Sequence, residues 1–213
     1  MEAEWLVRAG IGTLTLIDRD TVEGSNLQRQ SLYTERDAER AAPKAEAARQ
    51  RLREIDRSAR LHACVEHLDA GNAEALLRGV DVIIDGLDNA EGRYLLNDYA
   101  VAHGVPFIHA AAVGMEGRTL AVLPGRPCLR CFFRQAPAPG ALGTCDTVGV
   151  FGPVIGAVGA LAAADALRVA AGRSDLVPNG LHAIDLAAVR VTTIGSAQRP
   201  DAACPCCAGR SFE

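Results

Sequence analysis

The sequence TLTLID over residues 13–18 alternates β-forming side chains and ends on an acid, the pattern of a half-buried strand. The preceding MEAEWLVRAG reads as the end of a helix that closes at Gly10. Residues 19–42 are polar and show no clear period. Pro43 suits a helix start, and residues 44–55 have helical composition. Residues 61–65 form a short strand pattern and 72–77 a short helix. Next comes VDVIID over 80–85, an apolar run of the kind buried in parallel sheets. Residues 91–103 are helical, and 105–111 give the next strand after Gly104. Strand and helix alternate four times over about 100 residues, which predicts an α/β, doubly wound, mainly parallel sheet.

The second half changes character. Residues 117–122, 181–184 and 190–194 have strand patterns. Between them lie a Pro/Gly-rich loop over 124–143 and an apolar stretch over 148–171. That stretch is rich in Gly and Ala and carries Asp165 and Arg168, so it reads as a buried helix beginning near Pro153, with its lead-in, and not as a membrane span. There is no internal repeat, low-complexity linker or hard domain boundary. A single domain over 1–213 is expected.

Composition narrows the class. The 213 residues are 49% hydrophobic and 23% charged, which supports a packed core and argues against disorder. Aromatics are only 4%, so Ala, Val, Leu and Ile must build that core. The formal net charge of -4 argues against nucleic-acid binding through phosphate contacts. The first residues are acidic and lack an apolar core, so no signal peptide is expected. The 7 cysteines are odd in number and clustered. That points to metal or thiol chemistry in a reducing, cytoplasmic setting and away from a disulfide framework. The 22 basic residues are all Arg except Lys44, which singles that lysine out.

The cysteine spacing is the sharpest chemical signal. Cys128-Leu-Arg-Cys131 and Cys204-Pro-Cys-Cys207 are two Cys-x-x-Cys knuckles. Four thiolates suit tetrahedral, structural zinc; the alternatives are two reduced thiol pairs or one redox pair. Cys206 sits inside the second knuckle and is a candidate substitute ligand. Cys64 fits a strand as a small hydrophobe. Cys145 lies in Gly-Thr-Cys-Asp-Thr ahead of a Gly-rich helix start, where exposure favours a reactive thiolate.

Polar clusters follow the strands. Asp18-Arg-Asp20 ends the first strand, where an acid either accepts ribose hydroxyls or closes a solvated turn. Asn26, Gln28, Arg29 and Gln30 concentrate amide and guanidinium donors, and Arg29 suits a phosphate. Lys44 at a helix start does the same as a point charge. Asp88-Asn89, with Arg93 following, lies just past VDVIID. Asp88 there either holds magnesium through phosphate oxygens or the pair caps a helix.

Taken together, these residues resemble the ThiF/MoeB/HesA group of ubiquitin-activating-enzyme-like adenylyltransferases. The marks are LVRAGIGTLTLIDRDTVEGSNLQRQ, Pro43-Lys44, DGLDNAEGR, AAVGMEGR, CLRC, the Cys145 loop with GVFGPVIGAVG, and CPCC, across nearly the whole chain. The resemblance implies a Rossmann-like sheet with a zinc knuckle pair, a nucleotide-binding part over about 1–123, and a zinc and carrier-binding part over about 124–213. It implies ATP- and Mg2+-dependent adenylylation of the C-terminal glycine of a ubiquitin-like sulfur carrier ending in Gly-Gly. By position, Asp18 is the implied ribose ligand. Ser25, Asn26, Leu27, Gln28 and Arg29 form the polar arm around the phosphates. Lys44 is the phosphate lysine, Asp88 the Mg2+ ligand, and Asn89 lies beside the nucleotide. Cys128, Cys131, Cys204 and Cys207 are the implied Zn2+ ligands. Cys145 holds the position of a thiol that bonds covalently to the carrier or its sulfur donor. A homodimer and a sulfur-donor protein are implied partners.

One departure stands out. The chain opens inside the helix ending LVRAG, without the strand and Gly-rich turn that precede it in the family and contribute phosphate-binding N–H groups. That departure supports one rival, a zinc-stapled carrier-binding partner without adenylation activity; a second, a nicotinamide-dependent oxidoreductase suggested by the acid ending TLTLID, is opposed by the lack of a dinucleotide turn and by Arg29 and Lys44.

Overall fold

The structure, a computed structural model, describes residues 1–137, 147–195 and 199–208. They fall into two compact units, Met1–Leu68 and Asp69–Glu213.

The first unit holds helix α1 (Glu2–Arg8), strand β1 (Thr13–Ile17), helices α2 (Glu35–Glu39) and α3 (Lys44–Ile55), and strand β2 (Arg60–Cys64). β1 and β2 pair in parallel, from Thr13 opposite Arg60 to Ile17 opposite Cys64. The crossover between them is long enough to hold α3, as a parallel pair requires. α3 turns Ala45, Ala47, Ala48 and Leu52 inward. Val7, Leu32, Ala48, Leu52 and Ala59 form the core, with Leu14, Leu16 and Leu61 packed on it. The polar stretch 19–42 lacks a period because side chains bonded to backbone order it. Asn26 Oδ1 accepts from the Glu23 N–H at 3.1 Å. Asp37 accepts from the Thr34 N–H at 2.8 Å, closing a capping box at the start of α2.

The second unit holds helix α4 (Ala73–Leu77), strand β3 (Ile83–Ile84), helix α5 (Ala90–His103), strands β4 (Phe107–Val113) and β5 (Glu116–Val122), helices α6 (Leu129–Phe132) and α7 (Gly152–Ala170), and strands β6 (Leu181–Asp185) and β7 (Arg190–Ile194). The five strands lie in the order β3-β4-β5-β6-β7. The α/β class matches the expectation, but the mainly parallel sheet needs correction. β3 and β4 are parallel, whereas β4, β5, β6 and β7 pair antiparallel in succession. The turn chemistry explains this. Only Gly114 and Met115 separate β4 from β5, and a two-residue link can join only antiparallel strands. Gly114 has φ +58°, a conformation favourable to glycine.

Within VDVIID only Ile83 and Ile84 form the strand, yet Asp85 continues the pairing through its N–H to Ile108 O at 2.9 Å. α7 has the length and apolarity of a membrane span. In the structure it lies against β4 and β5 and buries Val154, Val158, Ala162, Ala163 and Ala166. That close approach depends on Gly117. A Cβ built there would collide with Val158 Cγ2 and press on Val154 Cγ2 at 3.2 Å. Gly117→Ala is expected to destabilise the fold by about 1–3 kcal/mol, the usual cost of overpacking. Denaturant unfolding checks this; an unchanged midpoint would show that α7 can move away freely.

Candidate functional site

In the first unit the chain returns on itself around Asp20. Asp18 Oδ1 accepts the Asp20 N–H at 2.9 Å. Asp20 Oδ2 lies 3.3 Å from Lys44 Nζ, and the Lys44 N–H donates to Asp20 O at 2.8 Å. Lys44 opens α3, and its side chain is only 12% exposed. Tyr33 donates its hydroxyl to Lys44 O at 3.3 Å. Burial first, then the charges of Asp18 and Asp37, push the Tyr33 phenol above its ordinary range, so it stays a neutral donor. No period or motif marks Tyr33 in the sequence.

The 25–29 arm is a tight turn. Asn26 is buried, and besides holding Glu23 it donates to Ser25 Oγ at 3.4 Å. The Ser25 hydroxyl donates to Glu23 at 3.2 Å. Arg29 donates to Ser25 O at 2.9 Å. Leu27 is half-buried and Gln28 exposed. Asn26 therefore shapes the turn, and its amide is already engaged.

In the second unit, β3 runs into Asp85 and then the 86–89 loop. Asn89 is the N-cap of α5: its Oδ1 accepts the Gly92 N–H at 2.8 Å. Asp88, exposed, accepts from Asn89 Nδ2 at 3.4 Å. The pair thus divides its work. Asn89 caps the helix, and Asp88 keeps a carboxylate at the C-terminal end of a parallel strand, where hard oxygens suit Mg2+. Beneath them, Asp85 and His109 have almost no exposed surface. His109 Nδ1 and Asp85 Oδ2 are 2.7 Å apart, and Arg93 Nε is 3.3 Å from the same oxygen. The sequence marked Arg93 but gave no sign of Asp85 or His109 as partners.

The four knuckle cysteines come together. The Sγ atoms of Cys128, Cys131, Cys204 and Cys207 all lie within 4.8 Å of one another. Cys128 and Cys204 are 3.6 Å apart, and Cys131 and Cys207 are 3.4 Å apart. Sulfurs on a tetrahedral zinc with bonds of about 2.3 Å sit about 3.8 Å apart, so the cluster has the right size for that ion. The hydrogen bond with Cys206 is the leading cause that holds the Cys128 thiol down at about 5. Burial pushes Cys131 and Cys207 up, and the bond with Cys128 pushes Cys206 up first.

Helix α5 carries both knuckles. Asn97, fully buried, accepts the Leu129 N–H at 2.8 Å and donates to Cys206 Sγ at 3.6 Å. Cys206 therefore bonds to α5 and lies outside the four-sulfur cluster. Asp98 takes the Arg130 guanidinium at 2.8 and 2.6 Å, and that guanidinium lies over the Tyr94 ring. Tyr94, Asn97 and Asp98 were not singled out in the sequence, although their three- and four-residue spacing places them on one helix face. Cys145 lies outside the described residues.

Against this geometry, residues 2–206 match the ThiF family. The chain belongs to the ThiF family. Over 211 residues it is 41% identical to the sulfur carrier protein ThiS adenylyltransferase of Bacillus subtilis, covering 99% of the chain and 62% of the relative. It is 34% identical over 204 residues to the SAMP-activating enzyme E1 of Haloferax volcanii, covering 96% of the chain and 74% of that relative. The chain thus spans 62% of the Bacillus relative's length. Its fold matches E. coli MccB, solved with ATP, at a TM-score of 0.82 and 21% identity, over 97% of the chain and 62% of MccB.

Purified protein is expected to hold about one zinc per chain, released by strong chelators with loss of structure. Asn97→Ala leaves the Leu129 N–H buried without a partner, which costs about 1–3 kcal/mol. Metal analysis and the rate of chelator-driven release test both points. Well-folded protein without metal, or release as slow as wild type in the variant, would overturn them.

Proposed function

We propose that the chain activates the C-terminal carboxylate of a ubiquitin-like sulfur carrier as an acyl-adenylate, using ATP. The observation that carries this reading is the alignment of 99% of the chain, at 41% identity, with a relative named for ThiS adenylylation. In the reaction, a carboxylate oxygen of the carrier bonds to the α-phosphorus. The bond from that phosphorus to the β-phosphate oxygen breaks, and pyrophosphate leaves with the electron pair. Such transfers need in-line positioning and neutralised charge more than covalent help.

The residues suit that task. In the first unit, Asp18 accepts ribose hydroxyls, and the turn that Asn26 shapes presents the polar groups of Ser25, Leu27 and Gln28 to the phosphates. Arg29 brings a planar fork and Lys44 a compact ammonium against the charge that grows on pyrophosphate. In the second unit, Asp88 would hold magnesium, which would supply positive charge to offset that of the phosphates. Asn89 fixes the start of α5 beside it. The acyl-adenylate is then open to a sulfur nucleophile from a donor protein, and Cys145 is the chain's candidate for a covalent bond to carrier or donor. The nucleotide part covers about 1–123, the carrier and zinc part about 124–213, and the working form is a homodimer.

ATP–pyrophosphate exchange with a purified Gly-Gly carrier tests the reading. Exchange is expected to depend on the carrier and to fall about a hundredfold or more in Asp88→Ala and Lys44→Ala. Asp88 is exposed, so its variant should melt with the parent protein. Lys44→Ala should lose up to about 1 kcal/mol, because Nζ pairs with a half-exposed Asp20. Carrier-independent exchange, or full exchange in both variants, would refute the proposal. Cys145→Ser is expected to keep exchange and lose any covalent carrier adduct, visible by intact-protein mass spectrometry. An adduct that survives the substitution would remove Cys145 from the chemistry.

A further inference from the structure

We propose that Asp85, Arg93 and His109 form a positioning network that sets the geometry of the 86–89 loop and, through it, the metal affinity of Asp88. The inference rests on the reading of Asp88 as the magnesium ligand and adds the residues that hold it in place.

Leu87 sits between Asp85 and Asp88, and both of its peptide groups are held by charged side chains. Asp85 Oδ1 accepts the Leu87 N–H at 2.9 Å. Arg93 Nη2 donates to Leu87 O. The other Asp85 oxygen, Oδ2, faces His109 Nδ1 at 2.7 Å and Arg93 Nε at 3.3 Å. The two oxygens of one carboxylate thus link β4, α5 and the loop. Leu87 is also fixed by packing: a Cβ on Gly92 would lie 2.6 Å from Leu87 Cδ1, so the leucine occupies the space above that glycine. One residue further along, the backbone that carries Asp88 follows from the held Leu87 peptide.

His109 is the member that adenylation leaves unexplained. It lies on β4 and is 1% exposed. The carboxylate opposite Nδ1 assigns that nitrogen as the donor. Its Nε2 meets no hydrogen-bond partner among the described residues. A buried imidazole that bonds through one nitrogen only serves the group it faces, which is Asp85. Removing it leaves Asp85 Oδ2 with Arg93 alone in a site without solvent, where a missing donor is costly. The carboxylate would then draw on Arg93 or turn, and either movement frees the Leu87 peptide. Partners bonded directly to a metal ligand commonly change its affinity about 10- to 100-fold, and this network, which reaches Asp88 through the Leu87 peptide, is expected at the lower end of that range.

Two measurements on the full chain test this. Hydrogen exchange over residues 86–92 reads the loop, and Mn2+ binding in the presence of ATP, followed by electron paramagnetic resonance, reads the metal site. In His109→Ala the Leu87 amide should exchange about tenfold faster, and Mn2+ should bind about tenfold more weakly. His109→Asn places an amide N–H near the position of Nδ1 and should restore both. His109→Gln reaches toward the Nε2 position and should not. Zinc content and unfolding midpoint of each variant separate a global loss of structure from a local one, and equal behaviour of the Asn and Gln variants would overturn the proposal. Unchanged loop exchange in His109→Ala would also overturn it. Faster exchange with unchanged Mn2+ affinity would overturn it too, and Asp88→Asn then identifies the fault. If that variant weakens Mn2+ binding, the ligand reading stands and its coupling to the network fails. If it does not, the ligand reading itself falls.

Discussion

Asp85 has no exposed surface, and a carboxylate shut away from water must find all its hydrogen bonds within the protein. Here it finds them on two segments, Leu87 in the loop and His109 on β4, and an ion pair with Arg93 on α5 adds a third. The need to satisfy one charge therefore fixes where α5 begins relative to the sheet. The Asn89 cap and the close approach of Leu87 to Gly92 then set the first turn of that helix. From there the order continues along α5. Tyr94, Asn97 and Asp98 lie within the next two turns, and they hold both cysteine knuckles through Leu129, Arg130 and Cys206. One helix thus has the exposed Asp88 carboxylate just before its start and the four-cysteine cluster along its side.

The cluster joins segments far apart in sequence, since Cys128 and Cys204 are separated by 76 residues. Closing so long a loop is entropically unfavourable, though the cost grows slowly with length. Hydrogen bonds from α5 and the ion pair of Arg134 with Asp201 at 2.7 Å bring the second knuckle near. They do not settle the charge of four adjacent thiols. Four sulfurs meet there within 4.8 Å of one another, a donor set that suits one tetrahedral zinc.

Much of the fold was legible because it follows local rules. Alternation marked β1, apolar runs marked β3 and β4, Pro153 marked the start of α7, and two short cysteine spacings marked the metal cluster. Strand direction was less legible. The β4–β5 reversal depends on a two-residue Gly114-Met115 turn, a small signal beside four strand–helix alternations. In the candidate region the sequence marked Asp18, Arg29, Lys44 and Asp88, but not the residues that support them. His109 reads as one more residue of an apolar strand, and Asn97 as one polar position on a helix. Both matter only because distant segments meet them, and a single sequence does not display such meetings. Asn89 shows the same limit in another way: the Asp88-Asn89 pair read as ligand or as cap, and the Gly92 N–H on the Asn89 oxygen shows that Asn89 is the cap.

The use of arginine gives the lone lysine physical meaning. Where arginine is partly buried here, its plane and fork are used. Arg130 binds Asp98 with two nitrogens and stacks on Tyr94, Arg126 spans Val177 O and Ser174 O, and Arg118 lies over Phe133. Residue 44 offers none of these surfaces. It meets a single carboxylate oxygen where the chain folds back onto Asp20, and its own N–H is bonded to the Asp20 carbonyl. A compact ammonium fits that return and can turn its three protons from Asp20 toward an incoming anion. A guanidinium there would hold Asp20 through a fixed fork and lose that freedom. A chain that otherwise uses arginine thus has its single lysine where the chain folds back onto Asp20.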